Sequence, residues 1–109
     1  MNSKQIPQII DRCRKKAVQS GCNHKIGLLG FNKRGEIIFS CFNRSRFPKK
    51  SGGIHSEMYA MLKCGKKLKT ILICRVNSSG KLLIIHPCKM CAEKAKELKI
   101  KIITVQDLI

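Results

Sequence analysis

The chain has 109 residues, 43% of them hydrophobic, and its 23 Lys and Arg against six Asp and Glu give a net charge of +17. That length suits a single domain over residues 1–109 with one modest core, and the apolar content excludes a disordered chain. No apolar run approaches a membrane span, and the first residues lack the apolar stretch of a secretory signal.

Residues 4–20 place Ile6, Ile9, Ile10, Cys13 and Ala17 at helical spacing, with Gly21 as a stop and Arg12, Arg14, Lys15 and Lys16 on the opposite, solvated face. Residues 26–31 and 36–42 read as strands joined by the turn Asn32-Lys33-Arg34-Gly35, and their two-sided apolar content predicts helices on both faces of a sheet. A polar loop over 43–53 follows and carries Arg44, Arg46, Lys49 and Lys50 without an acidic residue. Residues 54–64 predict a second helix with Ile54, Met58, Met61 and Leu62 inward and Gly65 as its cap. Residues 70–76 are a buried strand, 77–80 a turn, and 81–85 a short extended run. Residues 87–99 predict a third helix burying Ala92, Ala95 and Leu98, with Pro87 in its first turn. Residues 100–105 are a last strand and 106–109 a stub. The order α-β-β-α-β-α-β predicts a three-layer α-β-α domain with a mixed sheet, in which the last two strands run parallel through the third helix.

Two stretches carry the chemistry. His55-Ser56-Glu57 reads H-x-E, and Pro87-Cys88-Lys89-Met90-Cys91 reads P-C-x-x-C, the paired signature of zinc-dependent nucleobase deaminases. Zinc favours tetrahedral nitrogen and sulfur ligands, and a catalytic site keeps three protein ligands and one position for water. His55, Cys88 and Cys91 supply that set, because cysteines three apart share one helix face. Both motifs open helices at the carboxyl end of the predicted sheet, where open α/β sheets bind ligands. Glu57 is the acid/base group rather than a ligand. It passes a proton from the attacking water to the ring nitrogen as C4 of cytosine, or C6 of adenine, loses ammonia. Singly, each residue has a structural alternative: a surface histidine, a carboxylate favoured at a helix start, or buried thiols. The four together, in this order, do not fit those alternatives.

The stretch from the hairpin to the last strand resembles the cytidine deaminase-like superfamily. Pro-Cys-Lys-Met-Cys-Ala is similar to the second motif of deoxycytidylate and tRNA adenosine deaminases. A histidine at position 55 also resembles those families and the nucleic-acid-editing branch, whereas many small free-cytidine deaminases carry cysteine there. The resemblance implies a substrate-sugar contact at Asn43, which ends the second strand. His86 departs from the Glu or Ser that relatives often have before Pro-Cys, and it is read as a pocket-wall group. Arg44 and Phe47 complete the expected substrate contacts, Phe47 as a residue that stacks a base.

The remaining cysteines fit free thiols in a reducing compartment, which makes a cytoplasmic location the expectation. The charge has two readings: a field that attracts nucleic acid, or a lysine-rich composition in which lysine far outnumbers arginine. The leading functional expectation is a zinc-dependent hydrolase that turns cytosine into uracil in a nucleoside, nucleotide or single-stranded nucleic acid. Two others stand beside it: an adenine deaminase of the tRNA type, and a catalytically idle basic zinc module that binds nucleic acid. No membrane partner is expected. A small core leaves room for self-association, with no residue assigned to it.

Overall fold

A computed structural model describes residues 5–43 and 56–108, apart from the side chains of Ser56, Met58 and Tyr59. The elements are α1 (Ile6–Val18), β1 (Lys25–Phe31), β2 (Ile37–Phe42), α2 (Ser56–Cys64), a 3-10 turn (Gly65–Lys67), β3 (Thr70–Val76), β4 (Leu82–Leu83), α3 (Lys89–Glu97), β5 (Lys101–Thr104) and α4 (Val105–Leu108). The sheet runs β2-β1-β3, with β4 and β5 sharing the outer edge of β3. β5 lies parallel to Thr70–Ile73, and the two residues of β4 lie antiparallel to Arg75 and Val76. All other pairings are antiparallel, so the sheet is mixed.

Strand alternation splits the core in two. Leu29, Phe31, Leu72, Cys74 and Val76 face α1, packing with Ile9, Cys13, Ala17 and Val105 of α4. Leu28, Ile71 and Ile73 face the other way, onto Ala60 and Met61 of α2 and Cys91 and Ala95 of α3. The result is the expected three layers. Ile9, Cys13 and Ala17 recur every four residues and form the single buried stripe of α1.

Both antiparallel returns use the same local chemistry. Asn32 Oδ1 accepts the N–H groups of Arg34 and Glu36 at 3.0 and 2.9 Å, and Asn77 Oδ1 accepts those of Ser79 and Lys81 at 2.9 Å each. Each Asn is followed three residues later by a glycine at positive φ, Gly35 at 81° and Gly80 at 82°. The asparagine replaces missing backbone bonds, and the glycine takes a conformation that a Cβ would oppose.

Several sequence expectations shift. Leu62 was expected inside but is 71% exposed, because Ala60, Met61 and Cys64 form the inward face of α2. Leu98 follows α3 and is exposed rather than buried, while Cys91 takes an inward place. Pro87 lies outside α3, whose N-cap is Cys88. The terminal stub is a one-turn helix, α4.

Candidate active site

The carboxyl ends of β2, β3 and β5 lie together, since Phe42 pairs with Gly27, Gly27 with Cys74, and Ile73 with Thr104. α3 begins at this end after the β3–β4 hairpin, and α2 runs from it towards the start of β3. Glu57 is the second residue of α2 and only 6% exposed. It stands three and four residues before Ala60 and Met61, so it shares the helix face that packs against the sheet and α3. A buried carboxylate costs free energy unless something compensates it, so its place there is a constraint on the surroundings.

Cys88 is the N-cap of α3, with φ −60° and ψ 141°, and its side chain makes no capping bond. Its carbonyl accepts the Ala92 N–H at 2.8 Å, which closes the first turn. Cys91, in that turn, is buried. Both cysteines belong to the packing cluster that contains Ala60 and Met61 of α2. A helix start favours negative charge nearby, which would suit the thiolate form in which cysteines hold a metal. The donor set of the motif, two thiols with an imidazole, is a zinc set. Among the described residues no three ligand-type side chains stand together. The third expected ligand, His55, lies outside the described residues, as do Ile54, Arg44, Phe47 and the other cations of the basic loop.

Asn43 follows β2 at this same end. Its Oδ1 accepts the Ile26 N–H at 2.8 Å and its Nδ2 donates to the His24 carbonyl at 2.6 Å. Its backbone N–H donates to the Ile26 carbonyl at 3.0 Å, and its carbonyl accepts from the Ser20 hydroxyl at 2.8 Å. The amide therefore fixes the loop that enters β1, and it retains one N–H and one lone pair for another partner. His86 is exposed, two residues before Cys88 on the connection from β4.

One pair at this end is absent from the sequence expectations, which left His24 as a loop residue. Arg75 shares the strand face of Ile71 and Ile73, and its Nη2 donates to Nδ1 of His24 at 2.6 Å. A guanidinium cannot accept, so Nδ1 carries the lone pair and Nε2 the proton. The Arg75 Nε is buried without a hydrogen-bond partner. A lone cation inside the apolar run Thr-Ile-Leu-Ile-Cys-Arg-Val is the signal that marks it.

The cysteines elsewhere are free thiols among the described residues. Cys13 donates to the carbonyls of Gly27 and Leu72 at 3.5 and 3.8 Å, and a hydrogen bond with Cys74 followed by burial pushes its thiol far up. Burial also raises the Cys64 thiol.

Three layers, a mixed sheet, a thiol pair opening α3 at one sheet end and a buried glutamate on the neighbouring α2 define an α/β/α protein with this pair of motifs on one face of its sheet. The chain belongs to the family described as the cytidine and deoxycytidylate deaminase zinc-binding region, which matches residues 2–106, and zinc is that family's metal. Solved structures agree on the fold. The cytidine deaminase of Burkholderia pseudomallei superposes with a TM-score of 0.63 at 15% identity, covering 94% of each chain. That of Mycobacterium leprae gives 0.57 at 23% identity over 88% of this chain and 87% of the other. A mutant cytidine deaminase of Mycobacterium tuberculosis gives 0.58 at 14% identity over 85% and 80%. No curated protein matches the chain.

Proposed function

We propose that the protein is a zinc-dependent hydrolytic deaminase that converts cytosine to uracil in a nucleoside, a nucleotide or a single-stranded nucleic acid. The observation that carries this reading is Glu57, a carboxylate withdrawn from solvent on the α2 face that packs with the Cys88 and Cys91 helix. His55, Cys88 and Cys91 would hold the metal. Zinc bound there supplies a Lewis acid that makes water a usable nucleophile near neutral pH. Glu57 accepts a proton from the attacking water and delivers it to N3 of the ring. It then carries the proton of the new C4 hydroxyl to the amino group, which leaves as ammonia as the C4 carbonyl forms. The burial of Glu57 confines that proton to the site. Asn43 holds the β1 entry loop in place and offers its spare N–H and lone pair to the sugar. Arg44, Phe47 and His86 are assigned to the rim.

The choice of pyrimidine rests on the approach to Cys88. A purine needs room for a second ring, and the connection from Val76 contains only the tight Asn77–Gly80 turn, the two residues of β4 and the bulk of His86. The test is ammonia release from cytidine, deoxycytidine, their monophosphates, adenosine and single-stranded oligonucleotides, with sequencing of the oligonucleotide products. Cytosine-to-uracil conversion is expected. Adenosine-to-inosine conversion alone would overturn the base, and zinc-loaded protein that deaminates nothing would leave a binding module.

A further inference from the structure

We infer that the end of the sheet opposite the candidate site is a docking surface for a nucleic-acid backbone. This does not depend on the deaminase reading. Both helices of the site face terminate at that end. α2 closes through the Gly65–Lys67 turn into Lys69, whose N–H donates to the Phe31 carbonyl at 2.9 Å. α3 closes through Lys99, at φ 59°, into Lys101, whose N–H donates to the Lys69 carbonyl at 3.0 Å. The topology thereby gathers Lys66, Lys67, Lys69, Lys96, Lys99 and Lys101, all exposed, at the start of the two parallel strands. Because Phe31 pairs with Thr70, the β1–β2 turn brings Lys33 and Arg34 to the same end.

Acidic groups there are few and occupied. Glu36 accepts from Asn32 at 3.0 Å, and Glu97 faces Lys94 at 3.9 Å. No carboxylate among the described residues pairs with any of the six lysines. Helix capping accounts for only a small part of this charge. Two helix C-termini carry together about one negative charge, against eight cations gathered around them. Like charges within a Debye length of about 8–10 Å repel one another and raise the local potential, and a polyanion relieves that cost.

The chemistry favours a phosphate backbone over the alternatives. Seven of the eight cations are lysines, which act as point charges rather than bidentate base readers. No exposed aromatic ring among the described residues lies at this end to stack a base, so the contact is independent of sequence. A membrane surface would call for a continuous apolar face with aromatic anchors. Here the large exposed apolar side chains are Leu62, Leu98 and Ile38, one from each of three separate elements or their ends.

The position has a consequence for length. β3 separates the two ends by roughly 20 Å, so a strand touching both needs about six nucleotides at stacked spacing.

The experiment is anisotropy of labelled single-stranded DNA as salt rises from about 50 to about 200 mM. It compares the wild type with a cap variant (Lys66→Ser, Lys67→Ser, Lys69→Ser, Lys101→Ser) and a control of equal charge (Arg12→Ser, Lys15→Ser, Lys16→Ser, Lys81→Ser). The cap variant should weaken binding at least tenfold at low salt and reduce the slope of log K against log salt by about three, as loss of four phosphate contacts requires. The control should lose much less, with circular dichroism showing all three folded. Equal losses in both variants would reduce the effect to bulk charge and overturn the proposal. So would wild-type binding by the cap variant, or cap-dependent binding to phosphatidylserine vesicles without binding to DNA.

Discussion

Gly27 and Cys13 approach so closely that a Cβ on Gly27 would lie 2.4 Å from the carbonyl oxygen of Cys13 and 2.6 Å from the backbone nitrogen of Ala17. Both atoms belong to the α1 backbone, so no rotamer change can make room. Gly27→Ala should cost about 1–3 kcal/mol or more by lifting α1 from the sheet. Urea unfolding measures it, with Gly21→Ala as the control, since nothing lies within 4 Å of a Cβ there. Equal midpoints for the two variants would contradict the close approach.

Zinc content separates the roles of the cysteines from that of the glutamate. Purified protein should hold about one zinc per chain by plasma emission. Cys88→Ser or Cys91→Ser should lose the metal and lower the melting temperature, because ligand loss and folding are coupled at such sites. A chelator should move the wild type in the same direction. Cys22→Ser, on the half-buried entry loop, should keep the metal.

Glu57→Ala should retain both zinc and fold while kcat falls about 10²- to 10⁴-fold, the range for loss of a positioned acid/base group. Glu57→Gln keeps the volume and hydrogen-bonding reach of the side chain and should be as inactive. Activity in either variant within a few-fold of wild type would remove Glu57 from the chemistry.

The Cys13 thiol gives stability an alkaline limit. Its hydrogen bond with Cys74, and then burial, hold it protonated in the folded chain well above the range of an ordinary thiol. In the unfolded chain it ionises near pH ~8.5. Above that pH the unfolded chain releases a proton that the folded chain keeps, so this contribution is complete below about pH 8 and is lost as pH rises. The same bond lowers the Cys74 thiol, so the pair together keeps one proton that the unfolded chain gives up. Melting temperatures from neutral pH to about pH 10 should fall more steeply for the wild type than for the double variant Cys13→Ala, Cys74→Ala. Parallel curves would argue that the pair is ionised to the same extent in both states.

Where the sequence carries a period or a turn signature, it predicts the structure closely. The 70–76 strand is legible to the residue, since a β-rich run broken only by Arg75 and bounded by Lys69 and Asn77 has no other economical reading. Asn32 and Asn77 announce their turns for the same local reason. Leu62 and Leu98 are misread because apolar type alone does not say which helix face meets the sheet. On α2 the inward stripe runs through a carboxylate, Glu57, followed by Ala60 and Met61, and a hydrophobic count passes over it. The motif residues stand out as a set in the sequence from chemistry and spacing, and of them Glu57, Cys88 and Cys91 lie among the described residues. The Arg75–His24 pair is not, because it joins residues 51 apart in the chain through strand pairing.

β1 and β3 are the described strands bonded along both edges, β1 to β2 and β3, and β3 to β1 over its whole length and to β5 and β4 placed end to end on the other side. Their amides cannot open without breaking one of two ladders, so hydrogen exchange should be slowest in these two strands and progressively faster in β2 and β4. The lysine-bearing start and the arginine-bearing finish of β3 are then the two tips of a strut held on both sides. Were a nucleic-acid strand docked at the lysine tip, as inferred above, the seven residues of β3 would act as a ruler that fixes its span to the other tip.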